Sequence, residues 1–216
     1  MPQEKNPAKA YSLGEEIFNS VSHGVGALLS IAATVLLIVF SPKKAMVITS
    51  VSVYGASLIL LYVMSCLYHA FTNIRVKKVF QIFDHVSIYL LIAGTYTPYC
   101  LVSLGGAFGW TMFGIIWGLA VLGTTIYSVF GNKMRKISSI TYILMGWLVL
   151  AAFIPLRNAL PKFSFSLLIW GGLVYTAGFA FYSAKGIKWA HSIFHLFVVA
   201  GSVLHFFSVF FAMRPA

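Results

Sequence analysis

Seven stretches of about 20 mostly apolar residues, the length a helix needs to cross a bilayer, fill nearly all of this chain. They run roughly over 17–40, 46–71, 81–104, 110–130, 137–157, 164–184 and 189–212. The connections are as short as "SPKK", "GGAFG" and "KGIK", which leaves no room for a separate soluble domain. Only 9% of the 216 residues are charged and 60% are hydrophobic, whereas a soluble domain carries about a quarter charged residues. The expected fold is therefore an all-α integral membrane protein. It is one domain over 1–216, a seven-transmembrane-helix bundle preceded by a short polar segment at 1–16. That segment, "MPQEKNPAKAYSLGEE", mixes charges and is not a basic stub before a short apolar run. No cleavable signal peptide is expected, and the first spanning helix would serve as the insertion signal.

The formal charge of +11 lies in the loops. Lys43 and Lys44, Arg75, Lys77 and Lys78, Lys133, Arg135 and Lys136, Arg157 and Lys162, and Lys185 and Lys188 all fall between apolar stretches. Cytoplasmic loops are enriched in Lys and Arg. With the N-terminus cytoplasmic and the C-terminus outside, ten basic residues lie on the inner side against five on the outer. Such a surface suits anionic lipid headgroups rather than nucleic acid. The same topology puts Cys66 and Cys100 at opposite membrane faces. Their Cα atoms would have to approach within about 7 Å to bridge, so no disulfide is expected.

Three distant segments then deliver polar groups to one membrane level. "SCLYH", Ser65 to His69, ends the second stretch on the inner side, and Asp84 and His85 open the third. "HSIFHLFVVAGSVLHFF", residues 191 to 207, opens the seventh. At 3.6 residues per turn, His191 and His195 share one helical face, as do Ser65 and His69. Asp84 is the only aspartate; the remaining acidic residues are Glu4, Glu15 and Glu16. Ionisable groups inside a membrane are costly and usually face the bundle interior, where they pair or bind something.

Two histidines four apart, joined by a third from another helix, suit zinc. Catalytic zinc commonly takes three protein ligands and leaves a fourth position open for water. The expected ligands are His69, His191 and His195, with Asp84 beside the water or bonded to a ligand from outside. Taken alone, the 191/195 pair does not favour metal, since intramembrane polar residues also mark proton relays. The coincidence with His69 and the sole aspartate favours metal. His205, about 15 Å farther along the helix, is expected to pack between helices. His23 is expected at an interface near the inner end of the first helix, within reach of a supporting role. His85 follows Asp84 directly and so points about 100° away from it, which argues against ligation. Ser65 is ambiguous, because serine in a membrane helix often bonds backbone or a neighbouring helix.

These motifs resemble a known family. "SCLYH", "FDHVSIYLLIAGTYTP", "HSIFHLFVVAGSVLHFF" and the opening "EEIFNSVSHGVG" are similar to the bacterial haemolysin III branch of the progestin and adipoQ receptor family, over nearly the whole chain. The resemblance implies a seven-helix fold with a cytoplasmic N-terminus in a bacterial plasma membrane. It also implies zinc held by His69, His191 and His195, with Asp84 contacting the zinc-bound water. The wider superfamily includes alkaline ceramidases, which implies metal-dependent hydrolysis of a lipid amide with Asp84 and Ser65 as catalytic residues. The leading expectation is thus a zinc-dependent hydrolase of a membrane lipid. A non-enzymatic receptor or structural zinc protein is the main alternative. A pore-forming cytolysin ranks lower, because seven apolar helices with short loops suit a resident membrane protein. No lysine lies deep in the seventh stretch to hold a retinal, which argues against an opsin.

Overall fold

The computed structural model describes residues 11–184 and 186–214. The first ten residues of the polar segment, with Glu4, and Lys185 of the basic count lie outside the described residues. The described chain is helical, without strands. Its helices are α1 Leu13–Phe40, α2 Ala45–Ala70, α3 Ile74–Pro98, α4 Gly106–Phe130, α5 Arg135–Trp147, α6 Phe153–Ala159, α7 Lys162–Ser183 and α8 Ala190–Met213. A π-helical turn, Tyr99–Leu104, extends α3 beyond Pro98, and 3₁₀ turns at Gly131–Met134 and Leu148–Ala152 flank α5.

Local chemistry sets the helix starts. Ser12 Oγ accepts from the Glu15 amide, and the Glu15 carboxylate accepts from the Ser12 amide, a reciprocal cap on α1. Asn73 Oδ1 accepts from the amides of Arg75 and Val76 and so starts α3 three residues after α2 ends. The entry to α8 is less regular. Trp189 sits in the left-handed region at φ 63°, which a bulky side chain seldom adopts. Its amide donates to Glu15 Oε1 at 2.8 Å, so the first turn of α1 holds this corner.

Among the described residues, six segments are long and apolar enough to cross a membrane, and Gly106–Ala159 counts as one of them at 54 residues. That exceeds the seven-stretch expectation in length and falls short of it in number, for a visible reason. The stretch expected over 137–157 is not one helix: α5 has 13 residues and α6 only 7, with the 3₁₀ turn between them. Pro155, in the first turn of α6, has no amide to donate to Ala151, and its ring crowds that carbonyl, so the continuous helix breaks upstream at the 3₁₀ turn.

Side-chain contacts give the helix directions. Along α3, His85 stacks on Tyr127 and Thr97 accepts from Trp117, so α4 runs antiparallel to it. Tyr142 donates to the His85 carbonyl and Tyr96 donates to those of Met145 and Gly146, so α5 runs parallel to α3. The chain therefore reverses between α4 and α5, at Gly131, whose φ of 55° suits glycine. Likewise α1 and α2 are antiparallel through Ser20 and Cys66. Helices α7 and α8 are antiparallel through Ser164 with Ser208 and Leu168 with His205. Helix α8 lies parallel to α1, pairing His23 with His195 and Phe40 with Phe210.

These directions gather four helix ends. The starts of α1, α3 and α8 and the end of α2 meet at one level. Helix α3 is the most enclosed of the spans, while Leu13, Leu28, Val129 and Ile154 are among many large apolar side chains left open on the outside. An apolar exterior around a polar interior patch is the arrangement a bilayer favours. Cys66 and Cys100 are free.

Candidate metal centre

Each of the three histidines reaches the site from a helix end fixed by its neighbours. His69 closes α2, and His191 and His195 occupy the first two turns of α8. One ring nitrogen from each lies within 4.8 Å of the others, in a group able to hold a metal ion. His191 and His195 bring their Nε2 atoms to 3.1 Å. Zinc–nitrogen bonds of about 2.0–2.1 Å at a tetrahedral angle separate two ligating nitrogens by about 3.3 Å, so the pair is spaced for one ion. His69 Nε2 is buried without a hydrogen-bond partner among the described residues, a lone pair that burial leaves costly unless something binds it. The donor set fits zinc.

The opposite ring nitrogen of His69 is engaged. Its Nδ1 lies 2.6 Å from Glu16 Oε2, and Lys77 Nζ lies 2.9 Å from Glu16 Oε1. Lys77 also donates to the Tyr68 carbonyl at 3.0 Å. Composition alone puts Glu16 at the end of a polar N-terminal segment and suggests no role for it. The signal is nonetheless present in the spacing: Glu16, Asn19 and His23 fall at i, i+3 and i+7, one polar face on an otherwise apolar helix.

His23 goes further toward the site than an interface residue need. Its ring stacks on His195 with centroids 3.7 Å apart. Tyr11, just ahead of α1, stacks on His191 at 4.7 Å. Burial pushes the Tyr11 phenol up to about 12, with Arg135 opposing the rise, so it stays a proton donor at neutral pH.

Asp84 and Ser65 line one cavity of about 200 Å³ with His191 and His195. Asp84 is not among the clustered nitrogens, and its Oδ2 lies 3.7 Å from His85 Nδ1. His85 lies apart from the three histidines: Nδ1 donates to the Gln81 carbonyl at 2.9 Å and the ring stacks on Tyr127. His205 donates through Nε2 to the Leu168 carbonyl at 3.1 Å, a packing contact between α7 and α8.

A second cavity, of about 190 Å³ and almost wholly apolar, lies deeper between α3, α5, α7 and α8. Leu61, Ile88, Phe194 and Val198 line both cavities. The polar chamber thus abuts an apolar one inside the helical bundle.

The family model described as Haemolysin-III related matches residues 11–206, nearly the whole chain. The chain belongs to the haemolysin-III-related family. Within and beyond it, the chain is 43% identical over 214 residues to "Hemolysin-3" of Bacillus cereus, covering 98% of both chains. It is 42% identical over 203 residues to "Hemolysin-3 homolog" of Bacillus subtilis (strain 168), covering 93% of this chain and 95% of that one. More distantly, it is 28% identical over 163 residues to "Monocyte to macrophage differentiation factor" of Homo sapiens, covering 73% of this chain and 67% of the human one. With its six apolar spans, this haemolysin-III-related chain is an integral, multi-pass membrane protein.

Proposed function

We propose that this haemolysin-III-related protein is a zinc-dependent hydrolase of a membrane lipid, acting on an amide or related acyl bond. The observation that carries the reading is the junction of two cavities: one lined by His191, His195, Asp84 and Ser65 beside the clustered His69, the other apolar and beneath it. His69, His191 and His195 would hold the ion. Bound there, zinc would supply Lewis acidity for a carbonyl and a water of lowered pKa, toward about 7.

The rest of the chemistry belongs to side chains. Asp84 orients the attacking water, accepts its proton and passes it to the departing amine or alcohol. Ser65, one helical turn before His69, donates a hydrogen bond to the oxyanion that develops on the carbonyl. Arg135, whose Nε donates to the Tyr182 hydroxyl at the chamber wall, keeps positive charge beside the headgroup. The apolar cavity takes the acyl chain and keeps water away from it.

The reading includes a single domain over the whole chain with seven crossings. The reversal between α4 and α5 supports it, since 54 residues of continuous helix would extend about 80 Å against a hydrocarbon core of about 30 Å. The α5–α6 segment then supplies the extra crossing in broken form. The loop charges favour an inner N-terminus, which would bring the site near the cytoplasmic face.

Metal content of the detergent-purified protein is the test. About one zinc per chain, lost in His191→Ala and kept in Asp84→Ala, supports three histidine ligands with an outer aspartate. Loss in both variants makes Asp84 a ligand and favours a closed structural site. No zinc in the wild type after reloading sinks the metal reading. The name of the Bacillus cereus relative, "Hemolysin-3", at 43% identity, favours a second reading, lysis of cells. Lysis that persists in Asp84→Asn would separate that property from hydrolysis.

A further inference from the structure

We infer that Glu16 is a positioning residue for the metal centre: its carboxylate fixes His69 as the Nδ1–H tautomer, so that Nε2 presents its lone pair to the ion, and Lys77 fixes the carboxylate. The inference rests on the metal reading above and concerns the support of one ligand.

The geometry is specific to one nitrogen. Neutral imidazole carries a single proton, on Nδ1 or Nε2. A carboxylate oxygen can only accept, so the 2.6 Å contact requires the proton on His69 Nδ1. Nε2 is then the free acceptor, and it is the buried atom without a partner. Among the three histidines the support is uneven. His195 Nδ1 is also buried without a partner among the described residues, so His69 is the ligand whose orientation a carboxylate secures.

Glu16 is in turn held from the far side. Lys77 Nζ reaches its other oxygen at 2.9 Å and the Tyr68 carbonyl at 3.0 Å. These bonds join α1, α3 and the last turn of α2, where His69 sits. The neighbouring Glu15 binds the amide of Trp189, two residues before His191. Two adjacent glutamates at the start of α1 therefore secure both chain segments that carry the histidines. A plain ion pair between Glu16 and Lys77 would clip α1 to α3 with no need of a histidine. The shared carboxylate, one oxygen to each partner, goes beyond that.

Carboxylates bonded to metal-ligating histidines raise ligand basicity, and removing them typically costs about 10- to 100-fold in metal affinity. The experiment is zinc titration of the chelator-stripped full-length protein in detergent, for the wild type, Glu16→Gln and Glu16→Leu. Nitrogen NMR of histidine-labelled, metal-free protein runs in parallel, with the His69 signals assigned through His69→Ala. The expected results are about a 10- to 100-fold weaker Kd in Glu16→Leu, a smaller loss in Glu16→Gln, and an Nδ1–H tautomer at His69 in the wild type. Melting of the metal-free variants reports folding, and the isosteric Glu16→Gln decides if Glu16→Leu does not fold. Folded variants within twofold of the wild-type Kd, or an Nε2–H tautomer at His69, overturn the inference. Failure of the wild type to bind zinc overturns the metal reading instead, and the tautomer readout then tests the Glu16–His69 contact independently.

Discussion

The imidazole of His23 lies nearly flat on that of His195, with ring centroids 3.7 Å apart and planes 22° from parallel. The opposite constraint comes from Tyr62, which meets the His23 ring edge-on at 5.0 Å and donates to Ser202 Oγ at 2.7 Å. His195 is therefore held from α1 by a stacked ring. Two stacked imidazoles cannot both aim in-plane lone pairs at one ion, which makes His23 a support and not a ligand. His23→Phe keeps a flat ring and is expected to retain near wild-type zinc affinity. His23→Ala opens a space beside His195 and is expected to destabilise the protein by about 3 kcal/mol and to weaken zinc binding. Zinc titration and thermal melting in detergent check both. Complete loss of zinc in His23→Phe would make His23 a ligand.

Asp84→Asn removes the carboxylate proposed as proton acceptor while keeping size and polarity. Hydrolysis of a lipid amide is expected to fall by about 10²- to 10⁴-fold, with zinc content unchanged. Single-turnover assays in mixed micelles, read beside metal analysis of the same preparation, separate the two effects. Equal loss of zinc and activity would show instead that Asp84 holds the ion.

Much of the site is legible in the sequence because short loops between apolar stretches suggest which helix ends share a level, and therefore which polar residues can meet. His69, His191 and His195 emerge from spacing and depth alone, and the structure brings their nitrogens together. Glu16 escapes because composition ends the polar segment at residue 16, whereas α1 begins at Leu13. A charged residue in the first turn reads as ordinary capping until a partner from another helix is seen. The stack of His23 on His195 is hidden for a related reason, since sequence gives a face but not the neighbour that covers it. The fold shows the same division. An apolar window reports hydrophobicity but not helical continuity, so 137–157 reads as one span despite Pro155.

Gly26 marks a close approach of α1 to α2, and a Cβ there would strike the ring of Tyr62. That ring backs His23 and bridges to α8 through Ser202 and the Val198 carbonyl. Gly26→Ala is expected to destabilise the bundle by about 1–3 kcal/mol through overpacking, despite the higher helix propensity of alanine. Gly118, on α4, has open space around a built Cβ, and Gly118→Ala serves as the comparison, with stability unchanged or raised. Unfolding in graded denaturant with detergent held fixed measures both. Equal stability of the two variants would mean that Tyr62 yields freely and is no anchor for the site.

Val198 lines both the polar chamber and the apolar cavity, where α8 passes from one to the other. On the proposed hydrolase reading, a lipid with its scissile bond at the histidines would send its chain past this side chain and its neighbours Leu61, Ile88, Tyr182 and Phe194. Val198→Trp fills that passage at a stability cost of about 1–3 kcal/mol, which a melt will register. Its effect on catalysis should depend on chain length. Long-chain amides are expected to lose kcat/KM sharply, while a short-chain analogue confined to the polar chamber keeps its rate. Zinc content should stay at the wild-type level, because the substituted side chain lies one helical turn beyond His195. Uniform loss across chain lengths would point to damage at the histidines. No loss at any length would mean that the acyl chain leaves the chamber by another route and that the apolar cavity is not its site.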